Sequence, residues 1–365
     1  MVEKEAIERI IKWANGEKVP PHRILIYPTN KCNLKCLFCF LRLNPYSQKE
    51  EMSKKRWIQI TKELCEMGVD ILQISGGGDP LFRRDVTIEM MKIIKSYGKT
   101  GRLVNNGTLW TEKDIKEVVE MQWDNVIFSL DGPDSKTNDT SRGVKGAFEK
   151  IVKNIKLFSY YKELFNSEKP VLELSTVLSR INSKKIYQLI KLAHELGVKN
   201  ITIEPVFISN PNVKKIKLSK TQRKWFAKKI PELKKIAESL NVSTNLDSLY
   251  QIEIEKTGNL KEKILESSEP IGFLNLPCYE PWLWPKIEAN GEVGPCSTIF
   301  LSNFYKKEIS VKNKSFKEIW YGKEFDDFRR VILQGNVTEA CSNCVSTHIP
   351  INKTIREEIK KFIPF

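Results

Sequence analysis

Six short apolar runs, each separated from the next by a helical pattern, constrain the fold of this chain more than any other feature. Arg23-Ile24-Leu25-Ile26-Tyr27 reads as the first strand. Residues 70–75, 101–105, 125–130, 171–178 and 200–207 read as the next five, with helices expected over 53–67, 85–97, 111–121, 144–161 and 183–196. Strands joined through helices pair in parallel, by right-handed crossovers. The expected fold class is therefore α/β, an open sheet or a partial (β/α)6 barrel of the TIM type, with ligands at the C-terminal ends of the strands. The motifs below all fall at such ends, which favours the partial barrel.

Directly after the first strand, Cys32, Cys36 and Cys39 put three thiols within eight residues. An iron–sulfur cube usually takes four Cys thiolates, so three ligands leave one iron open for chemistry. Zinc is the rival reading, because closely spaced Cys pairs also build zinc sites. No fourth Cys or His lies nearby, and His22 would have to reach across the strand. A second group, Cys278, Cys296, Cys341 and Cys344, is read as a structural zinc site or a fully ligated iron–sulfur cluster. Cys65, beside Leu64 in an expected helix, is expected to pack in the core.

With 365 residues, 41% of them hydrophobic, the chain can build one large core and a smaller one. Cysteines grouped by short spacings, without a secretion signal, point to a reducing, cytoplasmic setting. No run of about 18 apolar residues occurs, so no membrane span is expected. The net charge of +15 is mostly Lys scattered along helices, which reads as a solvated surface. A nucleic-acid partner is not expected; RNA modification rests on charge alone. The expected units are an N-terminal helix (1–22), the barrel (23–208), a polar helical bridge (209–276), a small C-terminal unit (277–347) and a tail (348–365). Within the small unit, a hairpin over 284–295 turns at Asn290-Gly291, and a helix covers 316–333.

The three-cysteine loop, with Phe38 at the aromatic place of C-x3-C-x-aromatic-C, resembles the radical S-adenosylmethionine (SAM) superfamily. Ser75-Gly76-Gly77-Gly78-Asp79-Pro80 is similar to that family's G-G-E-P segment, which binds the amino group of the SAM methionine; Asp79 stands where Glu is usual. Asn105-Asn106-Gly107-Thr108, Phe128-Ser129-Leu130-Asp131-Gly132-Pro133 and Arg142-Gly143 resemble the branch that includes peptide and sulfatase maturases. The resemblance implies SAM contacts at Phe38, Gly77, Gly78, Asp79, Asn105, Ser129 and Arg142, and at Val206 or Phe207 past the sixth strand. The last four cysteines resemble a SPASM/twitch extension with a single auxiliary cluster. What this implies is a 4Fe-4S cluster on Cys32, Cys36 and Cys39, and an auxiliary 4Fe-4S cluster on Cys278, Cys296, Cys341 and Cys344. Reductive cleavage of SAM to a 5′-deoxyadenosyl radical would follow, fed by a reductant such as flavodoxin or ferredoxin. Asp131 and Glu204 are candidate bases. The substrate expected is a peptide or protein. The alternative is a sugar or aminocyclitol carbinol, as in twitch-type dehydrogenases or epimerases. A non-catalytic zinc and nucleotide binding protein is the reading from outside the enzymes.

Overall fold

The computed structural model describes residues 4–39, 41, 50–206, 211–249, 276, 278–297, 308–335 and 348–362. Six strands form in sequence order: β1 Arg23–Ile26, β2 Ile71–Ile74, β3 Thr100–Asn105, β4 Asn125–Ser129, β5 Val171–Leu178 and β6 Asn200–Pro205. Each pairs in parallel with the next. Their alternate apolar residues, such as Ile24, Ile74, Leu103, Phe128, Leu174 and Ile203, are fully or almost fully buried. Five helices cover the sheet between them: α2 Lys54–Glu66, α3 Arg84–Ser96, α4 Glu112–Glu120, α6 Ala147–Leu164 and α7 Ile186–Glu195. The architecture is the expected partial (β/α)6 barrel, and all six strands end on one edge.

Three elements depart from the expectation. A helix, α5 Ser135–Arg142, fills what read as turn sequence. Its SKTNDTSR sequence has no apolar period, so the caps define it. The Asp134 side chain accepts the Thr137 N–H at 2.8 Å, and Gly143, at φ +70°, ends it in the left-handed conformation. The expected bridge contributes an edge strand: after the helix Lys220–Ser239, the two-residue strand β7 Ser243–Thr244 pairs in parallel with β6. The expected helix over 316–333 is two, Phe316–Trp320 and Lys323–Leu333, broken at Gly322, where an added Cβ would meet the Glu318 carbonyl oxygen at 2.4 Å.

The hairpin appears as β8 Lys286–Ile287 and β9 Val293–Gly294, and β8 pairs in parallel with β1. The sheet therefore runs β7-β6-β5-β4-β3-β2-β1-β8-β9, straight through the boundary expected at residue 277. The last described segment is a helix, His348–Phe362, where a tail was expected. It packs with the N-terminal helix α1 Lys4–Ala14. Arg9 of α1 reaches Asp70 at 2.7 Å and donates to the Pro20 and Gly68 carbonyls, tying α1 to the start of β2. Trp13 meets Trp320 edge to face, with the buried Arg329 guanidinium over both rings. Among the described residues no helix is long and apolar enough to cross a membrane.

Candidate functional site

The loop after β1 carries Cys32, Cys36 and Cys39, all free thiols. Its leading edge lies on the glycine run after β2. The Gly78 N–H donates to the Thr29 carbonyl at 2.8 Å and the Asp79 N–H to the Lys31 carbonyl at 2.9 Å. A Cβ at Gly78 would sit 2.0 Å from the Lys31 carbonyl oxygen, and one at Gly77 would sit 2.0 Å from Asn30 Oδ1. Two backbone segments meet here at a separation that side chains forbid. The glycines that read as room for a ligand first make room for the loop itself. On its far side the loop is held by α5: Lys35 N–H donates to the Arg142 carbonyl (3.1 Å) and Leu37 N–H to that of Ser141 (3.0 Å).

Asp79 is buried and faces inward. One carboxylate oxygen accepts the Leu81 N–H at 3.0 Å, the other the Asn106 N–H at 2.7 Å. Burial pushes its pKa up to about 6 against the pull of these two donors. It is thus a brace between the β2 and β3 ends. Asn105 is likewise committed: its Oδ1 accepts from Gly107 N–H and Trp110 Nε1, at 2.8 and 2.9 Å. Its neighbour Asn106 is the one that turns to the cysteines, with Nδ2 at 3.7 Å from Cys32 Sγ and 2.8 Å from Asn33 Oδ1. Adjacent residues at a strand end face opposite ways, so the Asn-Asn pair did not disclose which one serves the site.

Asp131 is wholly buried and is the hub at the β4 end. It takes Arg142 Nη2 (2.8 Å), Ser141 Oγ (2.8 Å) and the Val177 N–H (2.9 Å). Its oxygens are engaged by three donors, and it holds Arg142 in place. Arg142, also buried, sets Nη1 at 3.9 Å from Cys36 Sγ and stacks its guanidinium 5.2 Å from the Phe38 ring centre. Burial raises the pKa of the Cys36 thiol, and the Arg142 charge opposes it. Cys32 is also raised by burial, against a hydrogen bond from the Leu34 N–H (3.4 Å). Donors and a cation aimed at these sulfurs suit thiolates, the ligating form. Ser129 ends β4 half-buried, and among the described residues nothing within the protein engages its hydroxyl. Glu204, opposite Val177 in β6, is half-buried.

His22 is excluded as a ligand by its place: Nδ1 lies 2.9 Å from Asp70, below the sheet's opposite end. Cys65 is buried in the core, its thiol pushed up to about 11 by burial. In the C-terminal segment Cys296 is buried and Cys278 half-buried. Cys278 sits between two tethers to the last helix: the Tyr279 N–H donates to Asn352 Oδ1 (2.6 Å), and Arg356 Nη1 donates to the Leu276 carbonyl (2.8 Å). Next to Cys296, the Ser297 carbonyl accepts from the buried Lys286 Nζ at 3.0 Å, which also pairs with Glu288 at 3.0 Å. Burial raises the pKa of the Tyr27 phenol, with the Glu288 charge adding to it and a hydrogen bond with Ser75 opposing it. None of Tyr27, Lys286 and Glu288 stands in a recognisable motif, which is why the sequence did not single them out. Cys341, Cys344 and Phe207 lie outside the described residues.

The model of the family described as radical SAM superfamily matches residues 26–162, and that described as iron-sulfur cluster-binding domain (SPASM) matches residues 278–345. The chain is 29% identical over 183 residues to a PqqA peptide cyclase of Methylocella silvestris, across 50% of this chain and 47% of that protein. It thus spans about half the length of that curated relative. An AdoMet-dependent heme synthase of Nitratidesulfovibrio vulgaris is 23% identical over 325 residues, 87% of this chain and 82% of the other. Among solved structures, Streptococcus suis SuiB bound to precursor peptide SuiA superposes with a TM-score of 0.64 at 19% identity, over 92% of this chain and 73% of that one. At that identity the likeness is one of fold. With both domains matched and the three-cysteine loop seated at the strand ends, the chain belongs to the radical SAM superfamily, in the branch that carries a SPASM-type iron–sulfur domain.

Proposed function

We propose that the protein is a radical SAM oxidoreductase or maturase acting on a peptide. The observation that carries the radical part is the loop of three free thiols, braced by Gly77-Gly78 on one side and Ser141-Arg142 on the other. In this reading Cys32, Cys36 and Cys39 hold a 4Fe-4S cluster, and Cys278, Cys296, Cys341 and Cys344 hold an auxiliary one. When bound, cluster and SAM supply a one-electron reductive cleavage that delivers a 5′-deoxyadenosyl radical to the substrate. The backbone of Gly77 and Gly78 and the Ser129 hydroxyl face the SAM methionine. Arg142 keeps one buried donor, Nε, without a partner, and that donor is available to the carboxylate. Phe38 and Val206 or Phe207 are the remaining candidate cofactor contacts. Glu204, half-buried in β6, is the proposed base. The auxiliary cluster, with all positions filled by Cys, transfers electrons, and a flavodoxin or ferredoxin supplies the first one.

The peptide substrate rests on the similarity to a PqqA peptide cyclase. A small-molecule substrate is the second reading, and the heme-synthase similarity, which runs over most of both chains, favours a tetrapyrrole within that class. Anaerobic turnover of the reconstituted protein with dithionite and SAM separates the two. Candidate precursor peptides should change mass and raise 5′-deoxyadenosine release, whereas iron coproporphyrin should do neither. A tetrapyrrole product with unaltered peptides would overturn the peptide reading.

A further inference from the structure

Two of the three thiols in the loop have a side-chain donor of their own, and each donor is backed by a buried carboxylate. Asn106 Nδ2 stands 3.7 Å from Cys32 Sγ, and its backbone N–H is fixed by Asp79 at 2.7 Å. Arg142 Nη1 stands 3.9 Å from Cys36 Sγ, and its Nη2 is fixed by Asp131 at 2.8 Å. The two chains of contact come from different strand ends, β3 and β4, and converge on one loop. Asp131 is in turn held by Ser141 and Val177, and Asn106 Oδ1 accepts the Thr108 N–H at 2.9 Å and its hydroxyl at 2.7 Å. Arg142 cannot swing away without breaking its buried bond to Asp131, nor Asn106 without breaking its part-buried bonds with Asn33 and Thr108.

We propose that Asn106 and Arg142 are positioning residues that raise the reduction potential of the cluster held by this loop, by donating to the Cys32 and Cys36 thiolates. The proposal rests on the cluster assignment given above. One electron arrives from an external low-potential carrier of the flavodoxin or ferredoxin class. No bond forms or breaks, and the added negative charge is shared with the thiolates. Donors to the sulfurs favour that more negative state and so ease its reduction. Arg142, itself buried, contributes a full charge where Coulomb interactions are stronger than in water; Asn106 contributes a dipole. The paired carboxylates hold the donors in place from farther away.

Redox titration followed by electron paramagnetic resonance, without SAM, tests this directly. The Cys32→Ala, Cys36→Ala, Cys39→Ala variant, retaining only the auxiliary centre, identifies which signal belongs to the loop. Asn106→Leu removes the donor to Cys32 at similar volume and without adding charge. Asp131→Asn combined with Arg142→Gln removes both charges of the buried pair with little change of shape. Each should make one-electron reduction at least tenfold less favourable, a fall of about 59 mV. Arg142→Lys, which retains the charge without the fork, should fall between wild type and the double variant. Unchanged or raised potentials with cluster content intact would overturn the proposal. Should the double variant lose its cluster, Asn106→Leu decides alone, since it leaves the Asp131–Arg142 pair untouched. A wild-type protein that assembles no such cluster would overturn the cluster assignment instead.

Discussion

Gly78 shows how little space separates the glycine run from the three-cysteine loop. A methyl group there would lie 2.0 Å from the Lys31 carbonyl oxygen, so Gly78→Ala must displace backbone. The expected cost is about 1–3 kcal/mol of stability, with reduced iron uptake on reconstitution. Gly98→Ala serves as the control: its φ is +65° but nothing lies within 4 Å, and it should cost about 1 kcal/mol and leave iron content unchanged. Equal iron loss in both variants would contradict the close-contact account. Asp70 offers a pH test. Burial alone would raise its carboxyl, but hydrogen bonds from His22 and Arg9 hold it below the usual range. The folded state then binds this proton more weakly than the unfolded chain. The stability it contributes is whole above an unfolded value of about 3.9 and is lost as pH falls through the lower folded one. Asp70→Asn should cost about 1–2 kcal/mol at neutral pH, discounted for a carboxylate partly open to solvent, and should flatten the acid limb of the stability curve. An acid limb identical to wild type would contradict this.

At the scale of elements, α5 matters because its last residues hold the cysteine loop through two backbone hydrogen bonds. Asp134→Ala removes its N-cap and should cost about 1 kcal/mol. Hydrogen exchange should then speed up at the Lys35 and Leu37 amides before it does in β4; exchange that rises in β4 alone would contradict the link. The sequence told little of this helix, whose polar residues show no period, and nothing of β7, a two-residue strand defined only by its pairing with β6; β8 was legible as one arm of a hairpin, but its pairing with β1 was not. The six barrel strands were legible because their apolar runs have to be buried between helices. The cysteine loop was legible from spacing alone, since chemistry fixes ligand separation. What surrounds it was not. That Asn106 turns to Cys32, Asn105 to Trp110 and Asp131 to Arg142 is decided by contacts from residues far along the chain, such as Val177.

Across the whole molecule, one sheet runs from β7 through β1 to β9 and brings the segment bearing Cys278 and Cys296 beside the strand that leads into Cys32. Arg56 of α2 strengthens this by donating to the Val311 and Lys314 carbonyls, at 2.7 and 2.6 Å. A continuous sheet would hold the two proposed metal centres at a fixed separation, as electron transfer between them through the substrate would need. Loss of the auxiliary ligands by Cys278→Ala and Cys296→Ala should therefore leave 5′-deoxyadenosine formation in place while stopping product formation; full product yield would reduce the auxiliary site to a structural pin. The central claim is that Cys32, Cys36 and Cys39 hold the cluster that cleaves SAM. Anaerobic reconstitution, with iron counted and 5′-deoxyadenosine measured after adding dithionite and SAM, tests it most directly. Wild type should hold about eight irons, four for each cluster, and release 5′-deoxyadenosine. The Cys32→Ala, Cys36→Ala, Cys39→Ala variant should keep about four irons and release none; continued reductive cleavage of SAM by that variant would contradict the account.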